Sequence, residues 1–128
     1  MLQRRKTRQV TLGDDQHGYV RIGGDAPVSV QTMTAGYTYE VDNCVAEINK
    51  LAAAGADIVR VAVPERKDTE ALGHILPQVN VPIVADVHFH FQRALEAIEV
   101  GVHKIRLNPG NIQDRNQVLK VIDACKQR

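Results

Sequence analysis

Five side chains in three short stretches have the types and spacing for chemistry on a charged small molecule. Asp86 and His88 lie two residues apart in Val84-Ala85-Asp86-Val87-His88. Arg106 and Asn108 repeat that spacing in Lys104-Ile105-Arg106-Leu107-Asn108, and Arg60 closes Ile58-Val59-Arg60. Positions two apart share one face of a strand. Each stretch is apolar and ends in polar groups, and in parallel α/β folds ligands bind at the carboxyl ends of the strands. Two guanidinium forks suit diphosphate oxygens, because each can donate two parallel hydrogen bonds. Asp86 between them can orient an arginine, bind a substrate hydroxyl or move a proton, and His88 can move a proton near neutral pH. A second reading stays open on the residues alone: Asp86 as the anion of a salt-bridged interior between Arg60 and Arg106. His88 as a structural hydrogen-bonder, and Asn108 and Asn111 as shapers of the Pro109-Gly110 turn, also stay open.

Placing these groups side by side takes a particular order of elements. Residues 9–24 read as a hairpin turning at Gly13-Asp14-Asp15-Gln16-His17-Gly18, with a break at Gly23-Gly24. Strands are expected over 28–33, 57–63, 83–87 and 103–107. Helices are expected over 40–54, 68–76, 92–100 and 116–126, from apolar residues recurring on one face. Thr38 and Asp114 are candidate caps, Gly55 and Gly101 candidate terminators, and Pro77 a stop. The alternation makes four βα units with right-handed crossovers.

Sorting the strands by parity gives one face of Val59, Val61, Ile83, Ala85, Val87, Ile105 and Leu107, which should meet the helices. The other face carries Ser29, Gln31, Met33, Ile58, Arg60, Val84, Asp86, His88, Lys104, Arg106 and Asn108. A complete (β/α)8 barrel needs about 250 residues. The expected fold class is therefore α/β: residues 1–128 form a partial TIM barrel, with a hairpin at 9–24 and four βα units over 28–126, the first half of the barrel. The pattern Gly55 to Arg60 matches Gly101 to Arg106, each with an arginine five residues after a helix-ending glycine. The two arginines should occupy equivalent places.

The remaining signals exclude more than they assert. A net charge of +1 gives no general attraction to nucleic acid. The aromatics do not interleave with basic residues, as base stacking would require. The basic start, Arg4-Arg5-Lys6-Thr7-Arg8, reads as a solvated tail or a weak phosphate-binding arm. No apolar run approaches the roughly 20 residues of a membrane span, and no secretory segment is evident, so the expected location is the cytoplasm. Cys44 and Cys125 fall on apolar helix positions and read as reduced core thiols. His17 and His74 read as solvent-facing, while His90 and His103 carry no assignment. No metal site is expected in this chain, since His88 and His90 alone are too few.

In order along the chain, Arg4-Arg5-Lys6 with the hairpin, 23–34, 55–61, 81–89 and 106–112 resemble the amino-terminal part of the 4-hydroxy-3-methylbut-2-en-1-yl diphosphate synthase family. The resemblance covers most of the chain but only about the first third of a family member. It implies a barrel that binds 2-C-methyl-D-erythritol 2,4-cyclodiphosphate in the non-mevalonate isoprenoid pathway. It implies a separate C-terminal domain, absent from these residues, with a 4Fe-4S cluster on three cysteines and a glutamate. That cluster delivers two electrons, opens the cyclic diphosphate and removes a hydroxyl as water. Flavodoxin or ferredoxin as electron donor and a homodimer of the full-length protein are implied as well. On the residues, it implies that Asp86 and His88 are catalytic. It implies that Gln31, Met33, Thr34, Arg60, Arg106, Asn108 and Asn111 bind substrate. Ala35-Gly36-Tyr37-Thr38 and His90-Phe91 depart from the family pattern in two loops. By this reading the 128 residues alone lack redox activity. The rivals are another phosphate-handling TIM-barrel enzyme, such as a pterin-binding synthase, and a non-catalytic α/β binding domain complete at this length.

Overall fold

A computed structural model describes residue 3 and residues 5–128; Arg4 of the basic start lies outside the described residues. The chain begins with an antiparallel hairpin of β1 (Val10–Asp14) and β2 (Gly18–Ile22), with Val10 opposite Ile22. Four parallel strands follow: β3 (Gln31–Met33), β4 (Ile58–Ala62), β5 (Ile83–Val87) and β6 (Lys104–Leu107). They pair in chain order, β3-β4-β5-β6, so β3 and β6 are the edges. Helices α1 (Val41–Ala53), α2 (Arg66–Ile75) and α3 (Phe91–Val100) make the crossovers, and α4 (Arg115–Lys126) follows β6. This is the α/β order of four βα units expected from the sequence.

Every residue of β5 is buried, as expected for a central parallel strand covered on both faces. On one face, Val59, Val61, Ile83, Ala85 and Val87 pack with Ile48, Leu72, Ile75, Ala94, Ala97 and Val121 of the helices. The parity of the strands set this face correctly. On the other face, Leu12 of the hairpin packs on Ile58 and Val84, with Val20 and Ile22 beside it. The hairpin thus covers the amino-terminal part of that face, and the carboxyl-terminal part stays open to solvent.

Glycine ends two helices in the same way. Gly55 has φ +113°, and the N–H of Ala56 reaches back to Leu51 O while that of Gly55 reaches Ala52 O. Gly101 has φ +101° and donates to Ala97 O and Ile98 O. A residue with a Cβ is strained in this left-handed region.

Several boundaries differ from the sequence reading. The expected strand over 28–33 pairs only from Gln31. Val28 is 96% exposed, so its segment finds no apolar surface, and Val30 uses its carbonyl to accept from Asp57 and Ile58 before the ladder begins. Helix α2 starts at Arg66 rather than at 68, because the Asp68 carboxylate accepts the Glu65 N–H at 3.0 Å and opens the turn earlier. Helix α2 does stop before Pro77, at Ile75; Pro77 itself sits inside a 3-10 turn, Leu76–Gln78, at an initial position where its missing N–H costs nothing. Thr38 does not cap α1, which starts after Glu40; its hydroxyl donates instead to Ala62 O. Asp114 does cap α4, accepting the N–H groups of Asn116 and Gln117. Cys125 and Ile122 are exposed rather than core. Cys44 is buried as expected.

Candidate functional site

Asp86 sits near the carboxyl end of β5, opposite Ala62 of β4 and Arg106 of β6. It is 2% exposed, and three cationic or potentially cationic groups reach its two oxygens. Arg106 Nη1 donates to Oδ1 at 2.9 Å. His88 Nε2 lies 3.2 Å and Arg60 Nε 3.5 Å from Oδ2. Burial alone would raise the Asp86 carboxyl, but the hydrogen bonds from Arg106 and His88 outweigh it and hold the group below the usual carboxylate range. A charged Asp86 is therefore the resting state at neutral pH.

The cations are less spent than the anion. The Arg106 side chain is 42% exposed and the Arg60 side chain 30%, against 2% for Asp86. Among the described residues Arg106 donates one hydrogen bond, from Nη1. The buried Arg60 Nε has no hydrogen-bond partner, and its Nη2 meets only the soft Met33 sulfur at 3.7 Å. Guanidinium carries five donors, so most donors of the two part-exposed forks have no partner among the described residues. Two permanent cations against one carboxylate leave the mouth net positive. The salt-bridged interior that the sequence left open is present. It does not saturate the arginines.

The other expected site residues divide. Met33 pairs in register with Arg60 and touches its guanidinium, and Thr34 donates its N–H to Arg60 O. Gln31 pairs with Ile58, beside the hairpin's apolar cluster, and no hydrogen bond or ion pair among the described residues joins it to Asp86. Asn108 follows β6 at the mouth, but its Oδ1 accepts the Gly110 N–H at 3.0 Å. Its carbonyl accepts from Asn111 and Ile112, so it shapes the turn and keeps only its amide N–H2 for a ligand. Asn111 is exposed on that turn.

Two sets of groups were not assigned from the sequence. At the amino end, His17 and His103 are buried, which corrects the solvent-facing reading of His17. Asp14 Oδ1 faces His17 Nδ1 at 2.7 Å and Oδ2 faces His103 Nε2 at 2.8 Å. His17 Nε2 donates to Leu76 O, and His103 Nδ1 accepts the Ile83 N–H at 2.9 Å. The three side chains have metal-like spacing. The His103 tautomer argues against a metal, because ligation through Nε2 would put a proton on Nδ1, facing the Ile83 N–H. The Asp14–His103 pair spans 89 positions, which no local pattern reveals. At the carboxyl end, Glu47 of α1 and Asp68 of α2 accept N–H groups of the β3–α1 loop. Only the spacing of Glu65 and Asp68 at a helix start hinted at the second.

No residue set in the described chain fits an iron–sulfur cluster. Cys44 is buried in α1 with its thiol pushed up to about 11 by burial, and Cys125 lies on the surface of α4. No helix of the described residues is long and apolar enough to cross a membrane.

Comparison with known proteins gives this geometry a family. The GcpE TIM-barrel domain matches residues 7–128. The curated 4-hydroxy-3-methylbut-2-en-1-yl diphosphate synthase (flavodoxin) of Persephonella marina is 44% identical over 128 residues, all of this chain and 35% of the relative. Proteins of the same name from Azotobacter vinelandii and Chromohalobacter salexigens are 49% and 50% identical over 99% and 98% of the chain, and 33% and 32% of their own lengths. The chain thus spans about a third of the curated relatives it matches. With its four parallel strands, its crossover helices and this match over nearly its whole length, the chain belongs to the GcpE TIM-barrel family.

Proposed function

We propose that this chain is the substrate-binding part of a 4-hydroxy-3-methylbut-2-en-1-yl diphosphate synthase. The observation that carries the reading is the pair of part-exposed guanidinium groups, Arg60 and Arg106, sharing the buried Asp86 and keeping donors without a partner among the described residues. The diphosphate of 2-C-methyl-D-erythritol 2,4-cyclodiphosphate takes those donors in bidentate pairs. Asp86 holds both guanidinium groups beside one carboxylate, so less side-chain freedom is lost when the ligand arrives. His88, bonded through Nε2 to Asp86, presents its ring to the same space and exchanges a proton or a hydrogen bond with a ligand hydroxyl. Met33 and Thr34 wall the β3 side, and the Asn108 amide closes the β6 side.

The full-length protein then performs the reductive dehydroxylation in the cytoplasm as a homodimer, with flavodoxin, named in the relatives, as its electron donor. The 4Fe-4S cluster belongs to residues outside these 128, and no step on it is assigned to this chain. Calorimetry of the full-length protein with the cyclodiphosphate tests the site. Arg60→Ala and Arg106→Ala should each weaken binding by about 1–3 kcal/mol, the range for charge-assisted hydrogen bonds. Wild-type affinity in both variants refutes the assignment.

A further inference from the structure

The β3–α1 loop, residues 34–40, borders the mouth, and four of its seven N–H groups, those of Thr34, Ala35, Gly36 and Tyr39, are held from outside the loop. Thr34 donates to Arg60 O at 3.0 Å. Ala35 and Gly36 donate to the two oxygens of Glu47, at 2.8 and 3.1 Å. Tyr39 donates to Asp68 Oδ1 at 3.1 Å, and the other Asp68 oxygen takes the Glu65 N–H. The buried Thr38 hydroxyl donates to Ala62 O. Asp68 is itself only 2% exposed, a costly position for a charge unless it has a fixed task.

The pinning leads to the arginine. The loop continues directly from Met33, whose sulfur meets Arg60 Nη2, and it is tied by backbone and hydroxyl to Arg60 and Ala62 on β4. Between this loop and the start of α2 lies a cleft of about 270 Å³, lined by Thr38, Tyr39, Ala62, Lys67 and Asp68. Ala62 stands on the same strand face as Arg60 and opposite Asp86, so the cleft and the mouth share β4. Gly36 fits closely against its acceptor: a Cβ there would stand 3.3 Å from Glu47 Oε1.

We propose that Glu47 and Asp68 are positioning residues for the anion site: they hold the β3–α1 loop as a preformed wall that keeps Met33 against the Arg60 guanidinium. The inference rests on the reading of Arg60 and Arg106 as diphosphate ligands. A loop already ordered costs nothing to order on binding. A released loop must be re-ordered at about 1–2 kcal/mol per residue, or roughly tenfold in affinity for each residue fixed.

The test uses the protein encoded by the complete reading frame, titrated calorimetrically with inorganic pyrophosphate and followed by native-state amide exchange. Glu47→Ala should speed exchange at Ala35 and Gly36 and weaken pyrophosphate roughly tenfold for each of the two residues released, up to about a hundredfold. Glu47→Gln keeps one acceptor oxygen and should recover part of both losses. Asp68→Asn should deprotect Tyr39 and weaken binding in the same direction. A merely structural role would lower the denaturation midpoint and leave the affinity of the folded fraction alone. If Glu47→Ala does not fold, Gly36→Ala carries the same test, displacing the carboxylate by a few tenths of an ångström with a smaller loss of both readouts. Arg60→Ala is the control for the underlying site. Faster exchange with wild-type affinity, in a protein that Arg60→Ala weakens, overturns the positioning role alone. Wild-type affinity in Arg60→Ala overturns the site and this inference together.

Discussion

The two ends of the parallel sheet are built around similar chemistry and treat it oppositely. At the amino end Asp14 meets two histidines, and at the carboxyl end Asp86 meets two arginines and a histidine. At the amino end every ring nitrogen and both carboxylate oxygens have partners, and the hairpin lays Leu12 against Ile58 and Val84, although the Asp14 side chain stays 47% exposed. At the carboxyl end the anion is saturated and the cations are not. A polar cluster that uses all its hydrogen-bonding capacity internally is a fastening. One that leaves donors of a single sign facing solvent is a binding site. Satisfaction, rather than residue type, separates the two.

Substitutions at the two ends should differ in what they do to binding. The largest effect is expected from Leu12→Ala, which removes the hairpin's apolar anchor and should cost about 2–5 kcal/mol by chemical denaturation. A cost below about 1 kcal/mol would mean that Leu12 does not anchor the hairpin. His103→Phe keeps the ring volume but strands the Ile83 N–H and one Asp14 oxygen; about 1–3 kcal/mol of stability should go, with pyrophosphate affinity unchanged. Arg106→Ala should lower ligand affinity. It also takes one of three partners from the buried Asp86, so about 1–3 kcal/mol of stability should go with it. If His103→Phe lowers the affinity as well, the contrast between the ends collapses.

A smaller effect is expected in acid. Burial would raise the Asp14 carboxyl, but the bonds from His103 and His17 hold it well below the usual range. A depressed folded value stabilises the fold above the ordinary carboxylate value of about 3.9, and that stability drains away as pH falls below it. Asp14→Asn should therefore flatten the loss of stability below about pH 4, measured as denaturation midpoints against pH. An unchanged acid limb would place the acid sensitivity at Asp86, whose carboxyl is also held low.

Much of this architecture was legible from residue order alone. Strand parity placed Arg60, Asp86 and Arg106 on one face, because a period of two leaves little freedom once the opposite face is apolar. The apolar faces of α1, α2 and α3 were equally plain, with Ile48, Leu72 and Ala94 fully buried. Contacts that join distant segments were not legible. His17 looked like a loop residue, because its partner Leu76 lies 59 positions away. Val28 and Val30 looked like strand residues and are exposed, because β propensity does not supply a neighbour to pair with. Gln31 shares the parity of the site residues and stands opposite Ile58, one pleat before the level of Met33 and Arg60. Thr38 showed the general difficulty, since a hydroxyl before a helix can cap it or bond elsewhere, and here it bonds to β4.

The left-handed glycines at 55 and 101 have one more consequence. Each is followed by a strand whose arginine comes five positions later, at Arg60 and Arg106. The turn works as a ruler: it fixes where the count begins, and the odd interval decides which way each guanidinium faces. One residue inserted between Gly101 and Arg106 would reverse that parity and drive a permanent charge into the layer of helices. The interval is thus far less forgiving than the identity of the apolar residues that fill it, and length variation in this family should collect outside these two five-residue spans.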